Sequence, residues 1–401
     1  MRTLLFSTLY PSVARPVHGI FVETRLRELL ASGSVETRVV APVPWFPWRG
    51  ERFGEYGQYA ATPLEEVRHG IAIHHPRYFL PPKIGMNLAP YFIARAALPV
   101  ARRMIEEGFD FDLVDAHYYY PDGVAAAMVA RELGKPLVVT ARGTDLNLIP
   151  QYPRPRRLIL ETAAQAAASV GVCKALMDVL ADLGATPEKL HVLRNGVDLE
   201  RFRPVGRQAA REQLGLEPGR ILLSVGHLIE RKGHHVAIAA LPSLPSDVRL
   251  IVIGSGPERS RLEALAGSLG VTNRVYFAGQ IANEALKWWY SAADALVLCS
   301  SREGWANVLL EAMACGTPVV ATNIWGTPEV VSGPHAGELM ESRTPQALVA
   351  AFDRLWARYP APEAVRRHAE GFSWAATTAG QLEIFRRVII AEAPAPRKVA
   401  A

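Results

Sequence analysis

Cysteine is scarce in this sequence, which has only Cys173, Cys299 and Cys315 among its 401 residues. No two of them have the spacing of a metal-binding pair, and an odd number does not fit a framework of disulfide bonds. We interpret them as small core residues of a protein in a reducing compartment.

Long apolar runs are absent as well. No stretch approaches the roughly 20 apolar residues that a transmembrane helix needs. The opening segment MRTLLFSTLYP carries an apolar run that is too short for a secretion signal, and Pro11 closes it. The sequence therefore predicts a cytoplasmic protein.

Neither sign of charge is in large excess, since 44 basic and 39 acidic side chains give a net charge of +5. That balance is too mild for a protein that binds nucleic acid, and it fits anionic small ligands or an anionic membrane surface equally well. The hydrophobic content of 49% and the charged content of 21% are typical of globular proteins. A chain of 401 residues exceeds one ordinary core, so two or three domains are expected.

Short apolar segments alternate with helical patterns such as 21–32 and 258–270, which is typical of parallel sheets covered by helices on both faces. The first set of predicted strands comprises 3–8, 37–42, 113–118, 137–141, 169–173 and 189–196. The second set comprises 221–226, 249–254, 274–279, 295–300 and 318–323. The pattern thus occurs twice, which predicts two α/β domains.

The two sets are separated by a stretch containing proline and glycine near Phe202–Gly219, which suits a domain boundary. We predict Rossmann-like, doubly wound domains at 1–203 and 220–375, facing each other across a cleft. In 376–401 we predict a long helix that packs back on the first domain, followed by a disordered tail, APAPRKVAA.

Ligands of open parallel sheets bind beyond the carboxyl ends of the strands. Three turns of the second half follow predicted strands: HLIERKG (227–233), GSGPE (254–258) and SREG (301–304). Glycines there let backbone N–H groups approach an anion, helix N-termini favour negative charge, and Lys232 would add a full charge for a phosphate. Each turn alone is compatible with an ordinary loop, but three together predict a phosphate site.

Dinucleotide binding is a rival interpretation of the turn GSGPER, which is similar to G-x-G-x-x-G. Arg259 stands where the third glycine belongs, and the next predicted strand ends in glycine rather than in an acidic residue. The dinucleotide fingerprint is therefore incomplete.

Two glutamates, Glu303 and Glu311, lie eight residues apart, and the sequence between them predicts a helix that begins just after Glu303. That helix would separate them by roughly 12 Å along its axis. The catalytic carboxylates of glycosidases lie roughly 5–9.5 Å apart, so the spacing does not favour that pairing. In a nucleoside diphosphate sugar site, Glu303 would meet one end of the ligand and Glu311 the ribose hydroxyls. Two solvated helix carboxylates are the alternative, which the apolar neighbours of Glu311 disfavour.

The segment EGWANVLLE, followed by AMACGTPVVAT, resembles the E-x7-E signature of the family-four retaining glycosyltransferases of GT-B fold. Other segments agree, so the resemblance covers nearly the whole chain: VGHLIERKG, VIGSGPE, YFAGQI, VLRNGVDLERFRP, DAHYYYPDG and VVTARGTD. The opening LYPSVARPVHGIFVETRLREL is similar to enzymes that build bacterial surface polysaccharides of the teichuronic-acid type.

The resemblance implies a hexosyltransferase that moves a sugar from a nucleotide sugar to a glycan or lipid-linked acceptor and retains its anomeric configuration. UDP-sugars are favoured by family frequency alone. The leaving diphosphate would take the proton of the acceptor while Lys232 stabilises the growing charge. The family needs no metal or other cofactor, and no D-x-D motif follows a predicted strand.

The resemblance also assigns roles to residues of the second half. Glu303 would contact the transferred sugar, Lys232 the diphosphate and Glu311 the ribose. His227 stands where the family usually has arginine, and histidine would be a weaker, pH-dependent partner of a phosphate. The other implied donor contacts are Gly254 and Gly256, which keep the nucleotide cleft open, Gln280 and Ile281 near the base, and Gly304, Trp305, Ala306 and Asn307 near the sugar or diphosphate.

In the first half, the resemblance places Gly19 in a loop that closes over the diphosphate and His117 opposite the reacting sugar. A lone histidine after a strand is often a structural hydrogen-bonding residue, but Asp115, Asp122 and Gly123 complete the family motif around it. On the acceptor side, Asp145 would lie near the acceptor or orient its own loop. Arg142 stands where the family often has histidine, so its role is open. Asn195-Gly196 is interpreted as a structural turn at the cleft, with contact to the ligand as the alternative.

The acceptor is less well defined by the sequence. Arginine, or lysine in the segment 81–85, lies beside aromatic or aliphatic residues in the segments 45–53, 81–85, 90–103 and 151–157. This composition suits a surface that lies on the inner leaflet of a membrane and takes a lipid-linked acceptor, or else a core helix with basic loops. A sugar-nucleotide epimerase of the same fold and a non-catalytic glycan-binding relative are the two alternatives to a transferase.

Overall fold

The computed structural model describes residues 1–80 and 85–392. These residues belong to two compact units, the first comprising Met1–Arg194 with Thr377–Ala401 and the second comprising Asn195–Ala376. The predicted disordered tail, 393–401, lies outside the described residues, as does 81–84 of the basic segment 81–85.

The first unit is built on a largely parallel sheet. Its strands are β1 Arg2–Phe6, β2 Glu36–Val40, β3 Val43–Pro44, β4 Glu65–Arg68, β5 Ile71–His74, β6 Arg77–Tyr78, β7 Leu113–His117, β8 Leu137–Ala141, β9 Ala168–Gly171 and β10 Leu190–Val192. The main sheet has the order β10-β9-β8-β7-β1-β2-β5-β4, and β3 pairs separately with β6. β4 runs antiparallel to β5. The carboxyl ends of β8, β7 and β1 therefore lie side by side.

The helices of the first unit's N-terminal part are α1 Ile20–Ala31, α2 Gly54–Ala61, α3 Gly85–Glu106, α4 Val124–Leu133, α5 Thr144–Asn147, α6 Pro153–Gln165 and α7 Lys174–Asp182. The first of them shows why the sequence folds in this way. Val22 and Leu26, four residues apart, lie on one face of α1 and pack against Leu5 and Val39 of the sheet.

The second unit contains a parallel sheet of order β13-β12-β11-β14-β15-β16. Its strands are β11 Arg220–Val225, β12 Val248–Ile253, β13 Val275–Gly279, β14 Ala295–Leu298, β15 Val319–Thr322 and β16 Gly337–Met340. Its helices are α8 Arg207–Gln213, α9 His234–Ala240, α10 Arg259–Ser268, α11 Leu286–Ala292, α12 Asn307–Ala314, α13 Thr327–Val330, α14 Pro345–Ala357 and α15 Pro362–Glu370. Leu222, Leu250 and Val297 of this sheet pack against Ile238 of α9 and Phe352 of α14.

Two Rossmann-like α/β units were predicted, and the structure confirms them. The predicted strands are present, although several end one to four residues earlier than expected. The sequence pattern did not predict β3 to β6 or β16. Of these, β3 and β6 are two residues long, and β4 has the polar sequence EEVR. None of the three therefore shows the alternation of apolar and polar residues from which a strand can be predicted.

The boundary between the units differs from the prediction. The structure divides the chain after Arg194, whereas 203 was expected, and the stretch expected to link the domains belongs to the second unit. The reason is that this stretch forms α8 rather than an open linker. Arg211 of α8 donates to the Ala292 carbonyl at 2.9 Å and to Asp294 Oδ2 at 2.7 Å, which ties the helix to the chain beside β14.

The final helix, α16, spans Trp374–Glu392, and the division between the units falls inside it. From Thr377 onward it belongs to the first unit, where Leu382 and Phe385 pack in a core cluster with Leu113 of β7 and Val138 of β8. None of the helices in residues 1–80 and 85–392 is both long enough and apolar enough to cross a bilayer.

Candidate functional site

The three glycine-containing turns of the second unit lie together at the carboxyl ends of β12, β11 and β14. Their backbones are joined directly: the Leu228 N–H donates to the Ser255 carbonyl at 2.9 Å, and the Ser301 N–H donates to the Arg231 carbonyl at 2.8 Å. The strand order explains this, because β11 lies between β12 and β14 in the sheet. The turns that the sequence singled out separately thus form one continuous surface.

Gly254 allows two of these turns to approach each other. Its φ is +142°, and a Cβ atom at this position would lie 1.9 Å from the Gly226 carbonyl oxygen. That distance is far below van der Waals contact, so a side chain is excluded here unless the backbone moves. Gly256 lies in the same segment, against the Leu228 backbone.

Glu303 is only 7% exposed and forms an ion pair with Lys232. The Lys232 ammonium and the Ser300 hydroxyl each donate to Glu303 Oε1, both at 2.6 Å. Arg231 lies 3.7 Å from the other carboxylate oxygen. Since a buried carboxylate is costly unless its charge is met, these groups fix the Glu303 side chain in the post-β14 turn.

Glu311 lies on α12, and the Tyr290 hydroxyl donates to its Oε2 at 2.7 Å. Burial raises the pKa of Glu311 to about 6, although the Tyr290 hydrogen bond opposes the shift. The helix begins at Asn307, not just after Glu303 as predicted, because Gly304, Trp305 and Ala306 form the turn that precedes it. The axial separation expected for a continuous helix between the glutamates therefore does not apply.

The remaining predicted donor residues differ in exposure. Trp305 and Ala306 are buried, and Asn307 Oδ1 accepts a hydrogen bond from Asn195 at 3.3 Å. Gln280 is exposed and accepts from the Ser255 hydroxyl at 3.5 Å, and Ile281 beside it is partly exposed. His227 is exposed at the start of the Lys232 turn.

In the first unit, the loop after β1 is fixed at both ends. Asp122 is fully buried and accepts from the Thr8 N–H at 2.7 Å and from the Ser7 hydroxyl at 3.2 Å. Burial raises the pKa of Asp122 to about 7. Gly19 ends the loop with φ of +67°, and a Cβ atom there would lie 2.2 Å from the Leu9 carbonyl oxygen. Only glycine fits this approach of Gly19 to the Leu9 backbone, three residues after β1.

Both ring nitrogens of His117 have partners. Nε2 lies 3.1 Å from Asp115 Oδ2, and Nδ1 is bonded to Arg142 Nη2. A guanidinium can only donate, so Nδ1 accepts and Nε2 carries the proton that is donated to Asp115. Burial lowers the pKa of His117 to about 4, which leaves the ring neutral at physiological pH. In this arrangement the side chain acts as a hydrogen-bonding link between Asp115 and Arg142.

Asp145 is fully buried and orients its own loop. Its carboxylate accepts from the backbone N–H groups of Tyr119 at 2.8 Å, Gly143 at 2.6 Å and Arg142 at 3.1 Å. Arg142 is 9% exposed and lies over the ring of Phe21, 5.6 Å from its centroid. Of the two roles expected for Asp145, this geometry is that of loop orientation.

The sequence did not predict four residues that bind in or behind the site. Ser300 binds Glu303 and Tyr290 binds Glu311, while Gln381 donates to Asp115 and Arg25 donates to Gln381. Ser300 lies directly before the Glu303 turn, so its contact with Glu303 could have been predicted from the sequence. Tyr290 lies on α11 and Gln381 on α16, and no spacing in the sequence connects them to their partners.

Comparison with known proteins assigns the chain to a family. The family model described as "Glycosyl transferases group 1" matches residues 206–372, and "Glycosyltransferase Family 4" matches residues 22–201. A D-inositol 3-phosphate glycosyltransferase of Acidothermus cellulolyticus is 34% identical over 332 residues, which cover 76% of this chain and 72% of the relative. The chain belongs to the family-four glycosyltransferases. This glycosyltransferase is also 29% identical over 364 residues to TuaC of Bacillus subtilis, a glycosyltransferase provisionally assigned to teichuronic acid biosynthesis, with 88% and 89% of the two chains covered.

Solved structures confirm the predicted GT-B fold of this glycosyltransferase. Sucrose-phosphate synthase from Thermosynechococcus elongatus superposes with a TM-score of 0.78 at 21% identity, covering 97% of this chain and 99% of the other. Anabaena HepE in complex with UDP superposes with a TM-score of 0.72 at 20% identity, covering 96% of this chain and all of the other. At these identities the likeness establishes the architecture alone.

The close approach of Gly254 to the Gly226 carbonyl can be tested by adding a side chain at residue 254. Gly254→Ala should lower the free energy of unfolding by about 2 kcal/mol or more, because the added methyl group collides with the Gly226 carbonyl at an unfavourable φ. Gly267→Ala is the matched control, since Gly267 lies in α10 and the nearest atom to an added Cβ is 4.0 Å away. That change should stabilise by about 0.5–1 kcal/mol. Denaturant unfolding of the two variants measures both effects, and equal stabilities would contradict the prediction.

Proposed function

We propose that this glycosyltransferase binds a nucleoside diphosphate sugar, with UDP-sugars favoured, and transfers its sugar with retention of configuration to a glycan or lipid-linked acceptor. The observation that carries the proposal is the buried Glu303 carboxylate held by Lys232 and Ser300 among three turns that lie against one another at the strand ends. The HepE structures with UDP and with UDP-glucose support the choice of donor class.

In this proposal the Lys232 ammonium exchanges its contact with Glu303 for one with the donor diphosphate, and Glu303 then accepts from hydroxyl groups of the sugar. The turn before α12 meets the diphosphate, and Glu311 accepts from the ribose. Charge grows on the leaving diphosphate as the glycosidic bond breaks, and Lys232 stabilises it. The acceptor oxygen bonds to the anomeric carbon and passes its proton to the same phosphate oxygens. Since Lys232 meets the charge of the diphosphate, the proposed reaction uses no metal.

The first test is thermal stabilisation of the protein by UDP, GDP and ADP. One nucleotide is expected to raise the melting temperature of the wild type and to lose that effect in Glu311→Ala, because the ribose hydroxyls lose their acceptor. Glu363→Ala, an exposed change in α15 of the same unit, serves as the control. Absence of stabilisation by all three nucleotides would overturn the donor site.

The same titration repeated against pH tests the role of Glu311 more closely. As the pH falls through about 6, the carboxylate takes up a proton and loses an acceptor for the ribose, so affinity for the nucleotide sugar should fall. UDP-glucose is the better probe, since a terminal phosphate titrates near pH ~6 and would obscure the effect. In Glu311→Gln binding should be weaker, and the step near pH 6 should be absent.

Product analysis tests the reaction itself. We expect the free nucleoside diphosphate and a sugar with the anomeric configuration of the donor, at a rate unchanged by EDTA. Proton NMR of the fresh product identifies the anomer. Inversion would exclude retention, and loss of turnover in EDTA with recovery in magnesium would exclude a metal-free reaction. A new nucleotide sugar without release of nucleotide would favour the epimerase.

An exposed aromatic surface of the first unit supports a lipid-linked acceptor. The rings of Phe46, Trp48, Phe53 and Tyr56 contact one another with centroids 5.3–5.7 Å apart. Trp48 is 59% exposed, and the guanidinium of Arg52 lies 4.6 Å from the Phe53 centroid. Aromatic rings beside cations are suited to the headgroup level of an anionic membrane.

Binding to lipid vesicles tests this surface. The wild type should sediment with vesicles containing phosphatidylglycerol and not with vesicles of phosphatidylcholine alone, and salt should weaken the binding. Trp48→Ser should reduce binding several-fold, because it removes an exposed ring from the surface. Ile390→Ser is the control, since Ile390 is 74% exposed on α16. Equal binding of both variants and the wild type would mean that the protein contacts the membrane elsewhere. If the wild type binds no vesicles, the proposed membrane contact is excluded.

A further inference from the structure

A chain of buried polar side chains connects the final helix of the first unit to the loop after β8. Gln381 of α16 donates through Nε2 to Asp115 Oδ2 at 3.1 Å, and His117 Nε2 meets the same oxygen at 3.1 Å. Arg142 completes the chain by bonding to His117 Nδ1. We call Gln381, Asp115, His117 and Arg142 the buried relay. Gln381, Asp115 and His117 are 3% exposed or less.

Arg25 of α1 fixes the direction of the relay. Its guanidinium donates through Nε to Gln381 Oε1 at 2.9 Å and through Nη1 to the Leu193 carbonyl at 3.4 Å. Since a guanidinium can only donate, the amide oxygen of Gln381 must face Arg25 and the amide nitrogen must face Asp115. The orientation of Gln381 therefore follows from its partners.

Asp115 is held through one oxygen. Its Oδ2 accepts from Gln381 and from His117, whereas its Oδ1 has no hydrogen-bond partner among residues 1–80 and 85–392. Without the Gln381 amide, His117 would be the single hydrogen-bond partner of this carboxylate in that part of the chain. A buried carboxylate with so few donors is expected to reorient.

We propose that Gln381 is a positioning residue for sugar transfer: through Asp115 it fixes the tautomer of His117 and with it the guanidinium of Arg142. This inference rests on the proposed function and on the role in sugar transfer that the family resemblance implies for His117. Because Nε2 donates to Asp115, Nδ1 is left as an acceptor, and only this tautomer can bind the Arg142 guanidinium. Loss of the tautomer would remove the Nδ1 acceptor of the Arg142 guanidinium.

Two substitutions at Gln381 separate positioning from simple packing. Gln381→Leu removes the donor to Asp115 and should lower kcat by up to about 100-fold, the cost of misplacing a functional group by about 1 Å. The affinity for UDP-glucose should be unchanged. Thr377→Val is the matched control, because Thr377 lies on the same helix, is buried and donates to the Arg194 carbonyl outside the relay. It should lower the melting temperature and leave kcat unchanged.

Gln381→Glu adds a pH readout. The charged groups facing residue 381 are Arg25 from α1 and Asp115 from β7, with His117 and Arg142 behind the latter. An ionised glutamate cannot donate to Asp115, whereas a protonated one can. The ratio of its kcat to that of the wild type should therefore rise as the pH falls. A ratio that does not change with pH would contradict the inference.

The tautomer of His117 can be read without any assay of activity. Nitrogen-15 NMR should show the Nε2–H tautomer in the wild type and a mixture in Gln381→Leu, with His117→Gln identifying the signal. If the wild type turns over no nucleotide sugar, the proposed function fails, while the spectra still decide whether Gln381 sets the tautomer. An unchanged spectrum, or a fall in kcat no larger than that of Thr377→Val, would overturn the inference.

Discussion

Carboxylates buried at the carboxyl ends of parallel strands govern the loops of both units. A buried charge costs several kcal/mol unless donors meet it, and Glu303, Asp122 and Asp145 are all buried and are each met by at least two donors. Each carboxylate has at least one donor from a neighbouring turn: Lys232 for Glu303, Thr8 for Asp122 and Tyr119 for Asp145. The hydrogen bonds to each carboxylate therefore fix the turns relative to one another. Functional side chains at these strand ends are consequently held in defined positions.

The kind of donor distinguishes Asp145 of the first unit from Glu303 of the second. Asp145 is bound by backbone N–H groups, which cannot leave without remodelling the chain. Glu303 is bound by the side chains of Lys232 and Ser300, and the lysine ammonium sits on a flexible stem that can turn towards another anion. The Asp145 arrangement is suited to permanent orientation of a loop. The Glu303 arrangement is suited to exchange between a bound and an unbound state, as a donor site requires.

Much of the architecture could be predicted from the sequence, because buried parallel strands are continuous apolar runs and their turns carry glycine. The turns containing Lys232, Gly254 and Glu303 could be predicted to meet for the same reason, since their strands belong to one parallel sheet. The boundary between the units could not be predicted, because the helix Arg207–Gln213 begins after a glycine and a proline that are typical of a linker. Its helix is held by the contact between Arg211 and Asp294, which is invisible in a local pattern.

The burial of His117 marks the limit of prediction from motifs. A motif locates a histidine at a strand end, but it does not say what the two ring nitrogens bind. That depends on Arg142, which the adjacent strand delivers, and on Gln381, which is 266 residues from Asp115 in the chain. Sheet topology brings together residues that follow strands, so those can be anticipated. A side chain supplied by a helix that returns from the far end of the chain has no sequence signature, and here such a side chain supplies one of the two hydrogen bonds to Asp115.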